Sequence, residues 1–526
     1  MRQVEIFDST LRDGAQGENI SFTVEDKLRI LKYLDKLGIR YAEAGNPSSN
    51  PKDMEFFERA AQLELQTTKL VAFGSTCRRG QLPEEDKSCA QLLSAGTSIV
   101  TIFGKSSEFH VNHVLQTSLE ENLRMISDTV SFLRMQGKQV FFDAEHFFDG
   151  YKLNPNYALD TLRAAVKAGA ERLVLCDTNG GCFPHEISKI TSLVVAEFGK
   201  KVGIHCHNDC GCAVANSLAA VQAGAVQVQG TYLGFGERCG NANLSTIIPC
   251  LQLKLGISCI PEEKLIRLTK TARYIAEIAN HMLPAELPFV GKSAFAHKGG
   301  MHVDGVNKIS SSFEHIPPET VGNHRNILIS EVSGRTAILN KITEIDSTLT
   351  KESEKTQELM DLLKEMEHQG YQYESAVASF ELMVLKQLGR LKPQFTIETF
   401  KVIGEQTKDY QSDLSSAMVK VKVDEQYEIT ADEGEGPVNA LDKALRKALE
   451  VFYPVIAQMR LIDYKVRVME PKQATAAKVR VFIESTDGEN VWTTVGVSTD
   501  IINASFKALT DSIEYKLYKY GEARQE

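Results

Sequence analysis

A chain of 526 residues, 43% hydrophobic and 24% charged, has room for two or three domains around a sizeable buried core and the balance of an ordinary soluble protein. Its formal net charge of -10 argues against a nucleic-acid partner, which calls for a basic surface, and no run of 18 or more apolar residues offers a membrane span. All ten cysteines fall between Cys77 and Cys259, so half the chain is without them; they read as reduced thiols, with a cytoplasmic location expected.

From the N-terminus, MRQVEIFDSTLRDG enters a strand-like run directly, with no leader expected. VEIF (4–7), RYAEA (40–44), KLVAF (69–73), SIVTIF (98–103), QVFFDAE (139–145), RLVLCD (172–177), VGIHCH (202–207) and VQVQGTYL (226–233) read as strands. Between them lie helical patterns. TVEDKLRILKYLDKLG has Thr23 and Asp26 placed as a capping box and Leu28, Leu31 and Leu34 on one face. SLEENLRMISDTVSFLRMQG, NYALDTLRAAVKAGA and AVANSLAAVQAGA follow, the last two closing on Gly169 and Gly224. Eight strands alternating with helices over about 250 residues predict a (β/α)8 TIM barrel over 1–260. An open doubly wound sheet is the alternative, but no G-x-G-x-x-G follows the first strand.

Residues 261–370 read as a helical subdomain completing the active site, broken by the Gly-rich GKSAFAHKGGMHVDGVNK (291–308) and ending in the polar amphipathic KESEKTQELMDLLKEMEHQG (351–370). Residues 371–526 carry an internal repeat. NALDKAL (439–445) returns as NASFKAL 64 positions on (503 − 439), and AMVKVKV (417–423) as AKVRVFI 60 positions on (477 − 417). Each half reads as strands followed by a helix. So short a unit cannot cover its own sheet, and the halves are expected to pack on each other and on a second subunit.

The densest chemistry lies in GIHCHNDCGCAV (203–214). On a strand, His205 and His207 project together and Cys206 the other way. At the C-terminal end of a seventh barrel strand they would face the site of a barrel enzyme. Cys206, Cys210 and Cys212 have neither CxxC spacing nor a common face, which disfavours a zinc knuckle. Two imidazoles need oxygen partners. Asp8 and Asp13 at the end of the first strand are both possible, and Asn241 in GFGERCGNANLS (234–245) offers a carbonyl oxygen. Mixed N/O ligation suits a catalytic Zn, Mn or Mg with open positions.

LRDGAQ, HCHNDCGCAVANSLAA and GFGERCGN together resemble the isopropylmalate/homocitrate/citramalate synthase family, a resemblance that covers nearly the whole chain. FDSTLRDGAQGE, FFDAEHFFDGYK, CDTNGG, GKSAFAHKGGMHVDG and VGNHRNILISEVSGR are most similar to the long-form citramalate synthases. The resemblance selects Asp13 over Asp8 as the metal carboxylate, with His205 and His207 as imidazole ligands and Asn241 as an outer fourth. It implies that Arg12 polarises the keto oxygen, Glu145 is the active-site glutamate, Thr178 holds the substrate carboxylate and His302 reaches a neighbouring subunit's site. Gln16 and Arg238, in the same motifs, would orient the substrate.

The implied reaction is a metal-dependent Claisen condensation of acetyl-CoA, as co-substrate, with pyruvate, giving (R)-citramalate and CoA in isoleucine biosynthesis. The methyl proton needs a base, for which Glu145 and His302 stand equal. The duplicated module implies a homodimer inhibited by an end-product amino acid, isoleucine for this product, with Gly434, Gly436 and Pro437 and the matching GVSTDIIN stretch as effector loops. The rival is a 2-isopropylmalate synthase, inhibited by leucine, with Phe103 and Asp143 as possible determinants of keto-acid size. A metal-dependent acyl-CoA lyase is disfavoured by the long C-terminal module, and a non-catalytic amino-acid sensor by the retention of Arg12, Asp13, Glu145, His205 and His207.

Overall fold

The computed structural model describes residues 2–327, 342–343, 345–346, 349, 353–404, 414–469 and 477–522. Of the motifs above, VGNHRNILISEVSGR lies outside the described residues from position 328 on, as do the first two residues of KESEKTQELMDLLKEMEHQG.

Eight parallel strands close into a barrel in sequence order: β1 (Glu5–Asp8), β2 (Tyr41–Glu43), β3 (Lys69–Ser75), β4 (Ile99–Lys105), β5 (Gln139–Glu145), β6 (Arg172–Asp177), β7 (Val202–Cys206) and β8 (Gln227–Gly230). Closure comes from β1 on β8, with Glu5 opposite Gln227 and Asp8 opposite Gly230, which removes both sheet edges. The predicted strands are therefore present, and the open-sheet alternative is excluded. β4 runs two residues beyond its expected end, to Lys105, and β8 stops three residues short, where Tyr232–Gly234 turns into a 3-10 helix.

Strand alternation sorts the side chains. Phe7, Tyr41, Val71, Ile99 and Phe141 form a separate apolar cluster, while the alternate residues Ile6, Ala42, Ala72, Val100 and Phe142 join the larger core with the helices. Helix Val24–Leu37 starts on the capping box expected, with Thr23 Oγ1 accepting from Asp26 N–H and Asp26 accepting from Thr23 N–H. Helices Pro155–Lys167 and Ala213–Gln222 end beside Gly169 and Gly224, both at positive φ.

The chain divides into two compact units, one of residues 1–295 and 314–325, the other of 296–313 and 326–526. In the first, Leu268 and Ile275 of helix Leu268–Ile278 belong to the barrel's outer core, and Tyr274 stacks on Tyr33 with centroids 3.6 Å apart. The Gly-rich segment read as a break contains a helix, Gly300–Lys308; its glycines cost helix propensity but do not prevent the turn count.

In the second unit, β9 (Ala296–His297) and β10 (Asn326–Ile327) form a short parallel pair, and β11 (Thr396–Gly404), β12 (Ser415–Val423) and β13 (Gln426–Gly434) form an antiparallel sheet followed by helix Pro437–Glu450. β14 (Arg460–Val468), β15 (Val479–Thr486) and β16 (Val491–Ser498) repeat it, followed by helix Ile501–Glu522. The duplication extends to single hydrogen bonds: Thr430 Oγ1 donates to Ala444 O at 2.6 Å, and Thr494 Oγ1, 64 positions on, to Ala508 O at 2.7 Å. Val419 and Leu445 from one half share a core with Ile483 and Leu509 from the other, so each half covers the surface its partner cannot. Among the described residues no helix is long and apolar enough to cross a membrane.

Candidate active site

The C-terminal ends of the barrel strands open into a cavity of about 640 Å³, lined by Arg12, Asp13, Glu145, Thr178, His205 and His207 among others. Gln16 and Arg238 line it too, as do Phe103 and Asp143. Of the catalytic residues selected from sequence, His302 belongs to the other unit: it lies on helix Gly300–Lys308, its ring stacked on Phe313 at 4.3 Å.

His205, on β7, points into the barrel, and His207 follows it, its N–H donating to Asp177 O at 3.2 Å. Cys206 between them faces the opposite way and is fully buried in the outer core, where burial holds its thiol well above the ordinary value. Cys210 is exposed and Cys212 half-buried; neither belongs to the cluster that follows.

The Nε2 atoms of His205 and His207 are 3.4 Å apart, and His205 Nε2 lies 3.7 Å from Asp13 Oδ2. One ligand atom from each of Asp13, His205 and His207 falls within 4.8 Å of the others, and all three residues are buried. Asn241 Nδ2 donates to Asp13 Oδ1 at 3.0 Å, and Asn241 Oδ1 is buried with no partner among the described residues. Gly236 leaves room for this amide, because a Cβ there would collide with Asn241 Nδ2. Asp8 is turned away: its carboxylate accepts from Thr10 N–H at 2.9 Å and Thr10 Oγ1 at 3.0 Å.

The charges fit a cation. Burial alone would raise the Asp13 carboxyl, but Arg12, His205 and His207 bring it down to about 2. Burial and the neighbouring His205 hold His207 down to about 4. His205 Nδ1 sits 2.9 Å from Gln229 Oε1, and Gln229 Nε2 donates to Asp143 Oδ1 at 3.1 Å. The amide fixes the ring, so that Nδ1 meets Gln229 and Nε2 faces Asp13 and His207. A carboxylate and two imidazoles converging in a buried cluster, beside an amide oxygen with no partner among the described residues, are a donor set for a divalent ion.

Arg12 borders this cluster. Its Nε donates to Glu43 Oε2 at 2.6 Å, Nη2 lies 3.3 Å from Asp13 Oδ2, and the guanidinium sits 3.8 Å from the Phe73 ring centroid. Burial works against the cation, but Glu43 and Asp13 raise its pKa above the ordinary value, so it stays charged. Asp143 goes the other way, pushed well above the usual carboxylate range by burial and by Glu43. Thr178 Oγ1 accepts from His146 N–H at 2.8 Å, leaving its hydroxyl proton free to donate. Arg238 grips Asp209 in a bidentate pair at 2.8 and 2.9 Å and donates to Thr178 O at 2.7 Å.

The HMGL-like family profile matches residues 3–275, a homocitrate synthase post-HMGL domain-like profile residues 289–371, and the LeuA allosteric (dimerisation) domain residues 374–517. The chain is 51% identical to the (R)-citramalate synthase of Aquifex aeolicus over 521 residues, 99% of each chain, and 50% identical to that of Geobacter sulfurreducens over 522 residues, again 99% of each. It belongs to the HMGL-like family. A probable 2-isopropylmalate synthase from Methanopyrus kandleri stands further off, at 33% over 97% of this chain and 98% of that one.

Three residues of this site escape a reading of the sequence alone. Gln229 had a signal: VQVQ alternates, which places glutamines on the inward face of β8. Glu43 is a buried acid in the middle of RYAEA, and Lys105 lay beyond the expected end of its strand.

Proposed function

We propose that this chain is a metal-dependent (R)-citramalate synthase, condensing acetyl-CoA with pyruvate and releasing CoA. The full-length identity near 50% to (R)-citramalate synthases, over a barrel mouth that gathers Arg12, Asp13, His205 and His207, carries the reading. Asp13, His205 and His207 hold the divalent ion, Zn, Mn or Mg, with Asn241 as an outer partner. When bound, that ion supplies Lewis-acid activation of the keto carbonyl.

The remaining work falls to the chain itself. Thr178 donates its hydroxyl proton to the substrate carboxylate, with Arg238 bracing the Thr178 backbone. Gln16 lines the wall nearby. Arg12 faces the oxygen on which negative charge develops as the keto carbon is attacked, and its bond to Glu43 holds it there before the reaction begins. Phe73 and Phe103, stacked with centroids 5.3 Å apart, wall the cavity beside Arg12 and favour a small keto acid. Glu145 at the mouth is positioned for the acetyl methyl proton, with His302, delivered by a partner subunit, as the second group. Water then cleaves the thioester, which releases CoA.

Residues 374–517 match an allosteric domain, and this supports a small-molecule effector, isoleucine, and a homodimer. Gly434, Gly436 and Pro437 lead from β13 into helix Pro437–Glu450, beside a pocket of about 530 Å³ reached by Asn439, Arg446 and Tyr464. The expected domain limits, 1–260, 261–370 and 371–526, remain our division by function: chemistry, completion of the site and regulation.

CoA release with a panel of keto acids, before and after chelation, tests this. Pyruvate should far outrun 2-oxoisovalerate, EDTA should remove activity and Mn2+ or Zn2+ restore it, and isoleucine should inhibit where leucine does not. Preference for 2-oxoisovalerate would make the enzyme an isopropylmalate synthase, and full activity after thorough chelation would remove the metal from the mechanism. The Gln229 contact has its own measure. Gln229→Leu should weaken binding of Mn2+ or Zn2+, followed by calorimetry, about 10–100-fold without unfolding the barrel.

A further inference from the structure

Lys105 and Glu145 are the last residues of β4 and β5 and stand opposite each other in the parallel register. Residues so paired project from the same face, and Lys105 Nζ meets Glu145 Oε2 in an ion pair. The side chains are only 14% and 24% exposed, so solvent screens the contact far less than at an open surface.

The backbone beneath the pair is tied down. Lys105 O accepts from Asn122 Nδ2 at 2.8 Å, and Ser106 N–H donates to Glu145 O at 2.9 Å. Gly150 of the following helix, Phe147–Leu153, packs on the Ser106 carbonyl, where a Cβ would approach within 2.1 Å. The ammonium also lies 5.8 Å from the centroid of Phe103, two residues back on the same face. Phe103 stacks on Phe73, and Phe73 carries Arg12. One aromatic pair thus has a cation at each end, Arg12 beside the Asp13/His cluster and Lys105 beside Glu145.

We propose that Lys105 is a positioning residue of the condensation, holding the Glu145 carboxylate aimed into the barrel mouth. The inference rests on the acetyl-CoA condensation proposed above. Glu145 lines the cavity, and Lys105 reaches the chemistry through it. Without the ammonium, the carboxylate keeps its place on the strand but loses the contact that fixes its rotamer. A small displacement of a reacting group is enough to cost about 100-fold in rate.

The test compares Lys105→Met, Lys105→Arg, Glu145→Gln and the double variant Lys105→Met/Glu145→Gln, using the keto acid that the wild type turns over fastest. Lys105→Met should lower kcat about 10–100-fold while the keto-acid KM stays within about threefold. Lys105→Arg should recover most of that loss. In the Glu145→Gln background, Lys105→Met should cost little more, because its effect runs through a carboxylate already gone. Should Lys105→Met melt below the assay temperature, Lys105→Gln carries the same expectations. A wild-type kcat in Lys105→Met, or an equal loss with and without Glu145, overturns the proposal while leaving the condensation standing. No CoA release by the wild type with any keto acid overturns both.

Discussion

Replacing His207 by alanine should abolish CoA release, while replacing its neighbour Cys206 by alanine should leave most of it. His207 brings one of the two Nε2 atoms that face each other at 3.4 Å over Asp13. Its loss leaves a carboxylate and a single imidazole, too few donors to keep a catalytic divalent ion in place. Lewis-acid stabilisation of the developing charge is worth several kcal/mol, so the expected loss in kcat is about 10³-fold or more. Purified His207→Ala should carry correspondingly little metal by elemental analysis. Cys206 sits on the other face of β7 among apolar side chains, and its truncation costs about 1 kcal/mol of stability. A His207→Ala enzyme with full metal content and near-normal turnover would remove this cluster from the reaction.

Arg12→Gln should fail for a different reason. Arg12 is the cation between Asp13 and the fully buried Glu43, and it faces the cavity from above Phe73. Removing a preorganised donor to a developing oxyanion costs about 10²–10³-fold in kcat, and loss of the charge as well places Arg12→Gln at the upper end. The variant also leaves the buried Glu43 without its counter-ion: Ser9 Oγ still donates to Oε2 at 2.6 Å, but Oε1 has no hydrogen-bond partner among the described residues. Breaking such a buried pair from one side destabilises by about 3–5 kcal/mol, read as a lower melting temperature. Arg12→Gln/Glu43→Gln should therefore regain much of the stability and none of the activity. If the double variant regains turnover, Arg12 serves only the fold. Arg12→Lys separates charge from shape, since an ammonium cannot hold Glu43 and face the cavity with one planar fork; it should remain well below wild type.

The sequence on its own determined the elements and the direction of individual side chains. Hydrophobic alternation and capping are local properties, so eight strands, helix Val24–Leu37 with its Thr23 cap and the duplicated C-terminal unit were legible from residue order. The opposite facing of His205 and Cys206 followed from the two-residue period of a strand. Tertiary structure decided which distant groups meet. Asp8 and Asp13 are equivalent acids by composition; closure of β1 on β8 turns Asp8 back onto Thr10, whose hydroxyl also accepts from Tyr232 N–H at 2.7 Å, and leaves Asp13 facing the histidines. Pairing of neighbouring strands brings Gln229 to His205, Glu43 to Arg12 and Lys105 to Glu145. None of these contacts has a local signal, because each depends on the register between neighbouring strands, which only the closed barrel sets.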